Sequence, residues 1–226
     1  MNKLEQEVRT EILPLLREYT ADALPEPLLD VVRELRSRWL DDKIFESLAR
    51  EFVRASDRTL RSRFERSVGV DAFDNTIVSD FLAAAVRENI KLIKGMVSNS
   101  LDDVAVQIES NIRAGKRSKD VIADIEKRLK VSRSRAKLIA RDQTNKLAGG
   151  LARTRQQGAG FSHFKWVTSK DIAVRDRHTE ISKQDAGFGP GVYAWSDLPR
   201  SDKGEPIYPG SEIQCRCIAA PVRVGG

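Results

Sequence analysis

Cys215 and Cys217 flank a single arginine, and they are the only two cysteines in the chain. One intervening residue is too short a spacing for an unstrained disulfide and closes no useful loop, so the pair reads as reduced thiols. Residues two apart on a strand point the same way. A strand over Gln214-Cys-Arg-Cys-Ile218 would therefore present both sulfurs on one face, where they could chelate a soft metal such as zinc. Zinc takes four ligands. His178 is the natural third, and Asp171, Asp176 or His163 could supply the fourth. The alternative is two thiols buried as small apolar side chains, with no metal.

His178 belongs to a dense polar cluster, Asp171-Ile-Ala-Val-Arg-Asp-Arg-His178. If that segment is helical, Asp171, Arg175 and His178 share a face, and Arg175 can hold Asp171 in a charge-assisted pair. Such a cluster is weak evidence for acid/base chemistry, because Asp, Arg and His together are ordinary in surface ion pairs. Upstream, Gln143 lies four residues from both Ile139 and Leu147, on an apolar stripe. An amide there needs hydrogen-bond partners, so either Gln143 fastens its helix to the segment that follows or the stripe is narrow and Gln143 is exposed. Phosphate loops, nucleophile elbows, His-Glu-x-x-His and calcium loops are absent, which leaves nucleophilic and cofactor chemistry without support.

The net charge of +6 is concentrated. Between Arg113 and Arg141 there are 11 Lys/Arg against 3 Asp/Glu. Lys127, Arg128, Lys130 and Arg133 form its centre, a candidate for weak, sequence-independent DNA contact or simply a solvated helical surface. The N-terminus is charged, and no apolar run approaches the ~20 residues of a membrane span, so a signal peptide, a transmembrane helix and a membrane partner are not expected.

The elements that must position these residues are mostly helices. Leu4, Val8, Ile12 and Tyr19 mark an opening amphipathic helix, bent or broken at Pro14, with a modest core contribution. After Pro25-Glu-Pro27, Leu28, Val32, Leu35 and Trp39 form one stripe, continued at four-residue spacing by Leu40, Ile44, Leu48 and Phe52. The pattern from Phe73 through Ile77, Phe81, Ile90 and Ile93, and after Gly95 from Leu101 to Ile112, predicts two long helices ending at Gly115. Ser118 then caps a short helix through Leu129, and Ser132 caps another running to Gln157. From Gly158-Ala-Gly160 onward, aromatics, prolines and glycines replace helical periodicity, and His163-Phe-Lys-Trp-Val-Thr168 alternates as a strand, with Trp166 expected to be a structural residue. The expected fold is mainly α: an elongated helical N-terminal region, 1–115, followed by a module over 116–226 whose helices run to about 157 and whose remainder, 158–226, is small and α+β.

The order Arg141-Asp-Gln-Thr144, Lys165-Trp-Val-Thr168, Asp171, Val174-Arg175, His178, Pro209-Gly210 and Cys215-Arg-Cys217 resembles the head-morphogenesis domain of phage Mu F-like minor head proteins, over residues 100–222. The resemblance implies a low-copy, non-enzymatic virion protein of a tailed phage or prophage, made in the host cytoplasm. It would be incorporated during procapsid assembly near the portal, with the portal protein, a capsid or scaffolding protein and the packaged DNA as partners. Two departures stand out. Family members often end Pro-x-His-x-x-Cys-Arg-Cys, whereas this chain reads Pro209-Gly-Ser-Glu-Ile-Gln-Cys-Arg-Cys217, and it lacks the long C-terminal extensions of some members. Two other functions compete: a helix-turn-helix DNA-binding protein, reading Ser118 to Leu147 as helix, turn and basic helix, and a metal-dependent hydrolase using His178 with the cysteines.

Overall fold

The computed structural model describes residues 1–17, 26–39, 41–69 and 76–224. Its described elements are α1 (Asn2–Glu7), a π-helical turn (Val8–Ile12), α2 (Leu13–Arg17), α3 (Glu26–Trp39), α4 (Asp42–Val68), α5 (Thr76–Arg113), α6 (Ser118–Gly158), β1 (His163–Val167), α7 (Asp176–Ile181), β2 (Val192–Ala194) and β3 (Ile218–Val222). The fold is mainly α with a small α+β part at its C-terminal end, as the periodicity predicts.

Two compact units divide the chain. The first joins 1–49 to 87–139, and the second joins 50–86 to 140–226. A cut at residue 115 does not describe them, because that position falls inside the first unit. Helices α4, α5 and α6 each contribute one stretch to each unit.

In the first unit the opening helix is a core element, contrary to its modest expected share. Leu4, Val8, Ile12, Leu13 and Leu16 are all at most 5% exposed, packed with Leu28, Leu35, Phe45, Leu101, Val104, Ile108, Val121 and Ile125. Pro14 neither breaks nor ends the helix. Proline lacks an N–H and its ring crowds the carbonyl four residues back, and the wider π-helical turn over Val8–Ile12 lies where that conflict would fall. Tyr19, Pro25, Leu40 and Phe73 lie outside the described residues.

The stripe chosen on α4 is one residue out of phase. Ile44 and Leu48 are 41% and 45% exposed, while Phe45, Ala49 and Val53 are buried. Both sets obey four-residue spacing, and only the packing distinguishes them. The two helices expected on either side of Gly95 are one, α5, with Gly95 in its interior. A helical Gly costs about 1 kcal/mol relative to Ala, which 38 residues of helix absorb.

Likewise α6 runs unbroken for 41 residues. Ser132 is interior and caps nothing, so the turn that a helix-turn-helix reading requires around Lys130-Val-Ser132 does not exist. The first turn of α6 hangs from the Arg117 carbonyl, which accepts from the Asp120 and Val121 N–H groups. Ser118 does not cap either; its hydroxyl donates to the Leu16 carbonyl near the end of α2.

In the second unit the strands form one antiparallel sheet in the order β2-β1-β3. The alternation of β1 is as expected: Phe164 and Trp166 face the core, packed with Ile181, Tyr193, Trp195, Ile207 and the two cysteines. Phe164 stacks on Trp195 with ring centroids 4.0 Å apart. The second strand differs from its expected range. β3 begins at Ile218, so the cysteines precede it on a loop.

Candidate metal centre

One short helix and one loop bring the polar chemistry of the second unit to one point. Helix α7 starts after Arg175, whose extended backbone places it as the N-cap, and two residues of its six turn inward: His178 and Ile181, one helical turn apart. The Tyr193 hydroxyl donates to the Ile181 carbonyl at 2.9 Å and ties α7 to β2. The cysteine loop is held against α6. Gln214 has a left-handed backbone, φ 57°, and its N–H donates to Asp142 Oδ1 on α6 at 2.6 Å. A non-glycine residue in that region is strained unless its surroundings hold it there, and Asp142 does so. One turn earlier in the loop, Gly210 packs backbone to backbone on α6: a Cβ there would sit 2.7 Å from the Asn145 carbonyl oxygen.

The result is a buried triad. His178 Nδ1 lies 3.7 Å from Cys215 Sγ and 3.6 Å from Cys217 Sγ, and the ligand atoms of all three lie within 4.8 Å of one another. His178 is 2% exposed, Cys215 3% and Cys217 6%. The Gly210 N–H points at Cys215 Sγ from 3.3 Å, and the Trp166 ring meets the His178 ring edge-on at 5.1 Å. On its far side the imidazole bonds through Nε2 to Glu212 Oε2.

These contacts set the ionisation. Burial weighs against a charged imidazole, but hydrogen bonds and charge from Cys215 and Glu212 outweigh it and hold His178 above its usual range. The two thiols divide one proton. A hydrogen bond from Cys217, helped by His178 and the Gly210 N–H, pulls Cys215 down toward the thiolate, and the same bond pushes Cys217 up. Two sulfurs and an imidazole nitrogen facing one another in a buried cluster are the donor set of a soft-metal site.

The other expected site residues lie elsewhere. Asp171 is not on a helical face with His178; its carboxylate accepts from Arg216 at 2.7 Å and from the Ala173 N–H at 3.0 Å. The Ala173 bond, with Arg216 behind it, holds Asp171 below the usual carboxylate range. Arg175 therefore pairs with no acid at Asp171, and donates instead to the Ile213 carbonyl at 2.6 Å, bracing the cysteine loop. His163, at the start of the central strand β1, meets the Phe188 ring at a tilt with centroids 4.3 Å apart and contacts the Ser162 hydroxyl, so it lies outside the triad. Asp176 opens α7 and stands outside the triad. Gln143 is buried, but the residues that fasten α6 to the cysteine loop and sheet are Asp142 and Gln156, whose Nε2 donates to the Ala219 carbonyl at 2.8 Å. Glu212, three residues before Cys215, went unread in the sequence because an exposed-looking glutamate in a turn carries no periodic signal.

The basic stretch is partly spent on internal pairs. Arg133 makes a two-point contact with the buried carboxylate of Glu5, and Arg128 lies 3.4 Å from Asp103. Lys127 and Lys130 are exposed.

A family model for phage Mu protein F-like proteins matches residues 102–220. That range is more than half of the chain and contains α6, β1, α7, β2, the start of β3, the triad and Glu212. The chain belongs to the phage Mu protein F-like family. An uncharacterized protein of Haemophilus influenzae is 28% identical over 185 residues, covering 78% of this chain. The chain spans 39% of that relative's length. No solved structure matches.

Proposed function

We propose that this protein is a minor head component of a tailed phage or prophage, incorporated during procapsid assembly at or near the portal, with the portal protein and a capsid or scaffolding protein as partners. The observation that carries the reading is the family match over residues 102–220. The long helices suit it, because they present extended faces for docking. Among the described residues no helix is long and apolar enough to cross a membrane. A structural role suits the site better than a catalytic one: among the described residues the carboxylate bonded to the triad, Glu212, is engaged by His178 rather than free to act as a base.

Nucleic-acid contact is a second part of the reading, supported by one feature of α6. Lys127, Lys130 and Lys137 are exposed and spaced by three and seven residues, which puts their ammonium groups along one side of the helix. Such a ridge meets a phosphate backbone without reading sequence. Mass spectrometry of purified particles tests the assembly role. The protein should be present in procapsids and mature heads in low copy, cross-linked to the portal. Abundance in infected cells with absence from both particle types would overturn it.

A further inference from the structure

We propose that His178 Nδ1 and the thiolates of Cys215 and Cys217 bind a single zinc ion, with Glu212 orienting the imidazole and the fourth coordination position filled from the adjoining cavity. This site stands independently of the assembly role.

The spacing fits the metal. Zinc bonds of about 2.3 Å to sulfur and 2.0–2.1 Å to nitrogen, at tetrahedral angles, place a ligand nitrogen about 3.5 Å from each sulfur. The observed separations are 3.7 and 3.6 Å. An imidazole hydrogen-bonded to a thiol through a shared proton does not require both sulfurs at the same distance from one nitrogen. A central ion does.

The second ring nitrogen fixes the tautomer. With an ion bound, Glu212 accepts from Nε2–H, which leaves the Nδ1 lone pair to face the ion between the sulfurs. Carboxylate, histidine and metal in series is the usual way a protein aims an imidazole ligand. The backbone N–H of Gly210 on Cys215 Sγ adds a donor of the kind that stabilises a metal-bound thiolate.

The fourth position has a direction. A cavity of about 490 Å³ in the same unit is lined by Cys215, Cys217, Thr144, Asn145 and Thr59. Asn145 Nδ2 is buried there without a hydrogen-bond partner among the described residues. An unpartnered amide beside two cysteines is a donor for a water or small anion on the ion. No fourth side-chain ligand joins the group among the described residues. Asp171 and His163 are committed elsewhere, as described above.

The test uses the full chain, expressed without a polyhistidine tag and purified without chelator. Elemental analysis should find roughly one zinc per chain, and X-ray absorption should find two sulfur and two nitrogen or oxygen neighbours. Cobalt(II) in place of zinc should give thiolate charge-transfer and tetrahedral ligand-field bands. Glu212→Gln still accepts a hydrogen bond from Nε2, so it should keep the cobalt spectrum while zinc affinity falls about 10–100-fold. Cys217→Ser should lose the metal; because that variant could fail to fold, release of zinc from the unaltered chain by a thiol-blocking mercurial gives the same answer independently. The proposal is overturned by less than about a tenth of an equivalent with no cobalt uptake, by an all-oxygen or all-sulfur shell, or by complete loss of metal in a folded Glu212→Gln.

Discussion

Arg155 on α6 is 2% exposed, and its Nη2 donates to Asp57 Oδ1 on α4 at 2.5 Å, while Nε and Nη1 find no acceptor among the described residues. A buried guanidinium with a single carboxylate is costly to leave alone. Asp57→Ala should therefore destabilise the second unit by roughly 3–5 kcal/mol, measured by urea unfolding. Arg155→Met removes the charge and keeps much of the volume, so it should cost less, and the double variant should be more stable than the sum of the single losses implies. Additive losses would mean that the pair is not coupled. The same logic separates two cations in the basic stretch. Arg133→Glu would set a carboxylate against buried Glu5 and should lower stability in the first unit, whereas Lys130→Glu, at an exposed position, should leave the melting temperature within a degree or two of the parent.

At the scale of elements, α6 is asked to do two things along its length. Its C-terminal half packs without a side-chain layer against the Pro209-Gly210 turn: a Cβ on Gly149 would overlap the Pro209 carbonyl oxygen. A backbone atom cannot rotate away as a side chain can. Gly149→Ala, favourable in an isolated helix, should here cost about 1–3 kcal/mol and displace the turn that carries Gly210 toward Cys215, detectable as lowered zinc retention. A neutral or stabilising outcome would show that the turn yields freely. The N-terminal half of α6 offers the lysine ridge. Replacing Lys127, Lys130 and Lys137 by Glu should abolish DNA retention and flatten its salt dependence without unfolding the chain. Unchanged retention would place any nucleic-acid contact elsewhere.

For the whole molecule, the two units have separate apolar cores, one around Leu4, Ile12, Leu101 and Ile108 and the other around Phe164, Trp166, Trp195 and the cysteines. Stability is local where cores are separate. Removing the metal with a strong chelator should raise amide exchange in β1, α7 and the 209–217 loop, and leave the protection of α5 between Val97 and Ile108 unaltered. Uniform loss of protection across both regions would instead indicate a single cooperative unit.

The sequence by itself determined the helical character of the described residues between Leu4 and Gln157, the change of regime at Gly158, the alternation of β1 and the family, because these rest on periodicity, composition and motif order that need no knowledge of neighbours. It also brought His178, Cys215 and Cys217 together as one candidate set from residue chemistry alone. Tertiary structure decided what local pattern leaves degenerate. On α4, Ile44-Leu48 and Phe45-Ala49 satisfy the same spacing, and only the side packed in the core tells them apart. Gly95 and Ser132 carry breaker and cap signals worth about 1 kcal/mol each, too weak to interrupt helices held by many buried contacts. Arg175, Asp171 and Glu212 chose partners 38, 45 and 34 residues away in sequence, and no spacing rule reaches across a loop of that length. The site's orienting carboxylate was therefore invisible until the chain closed on itself.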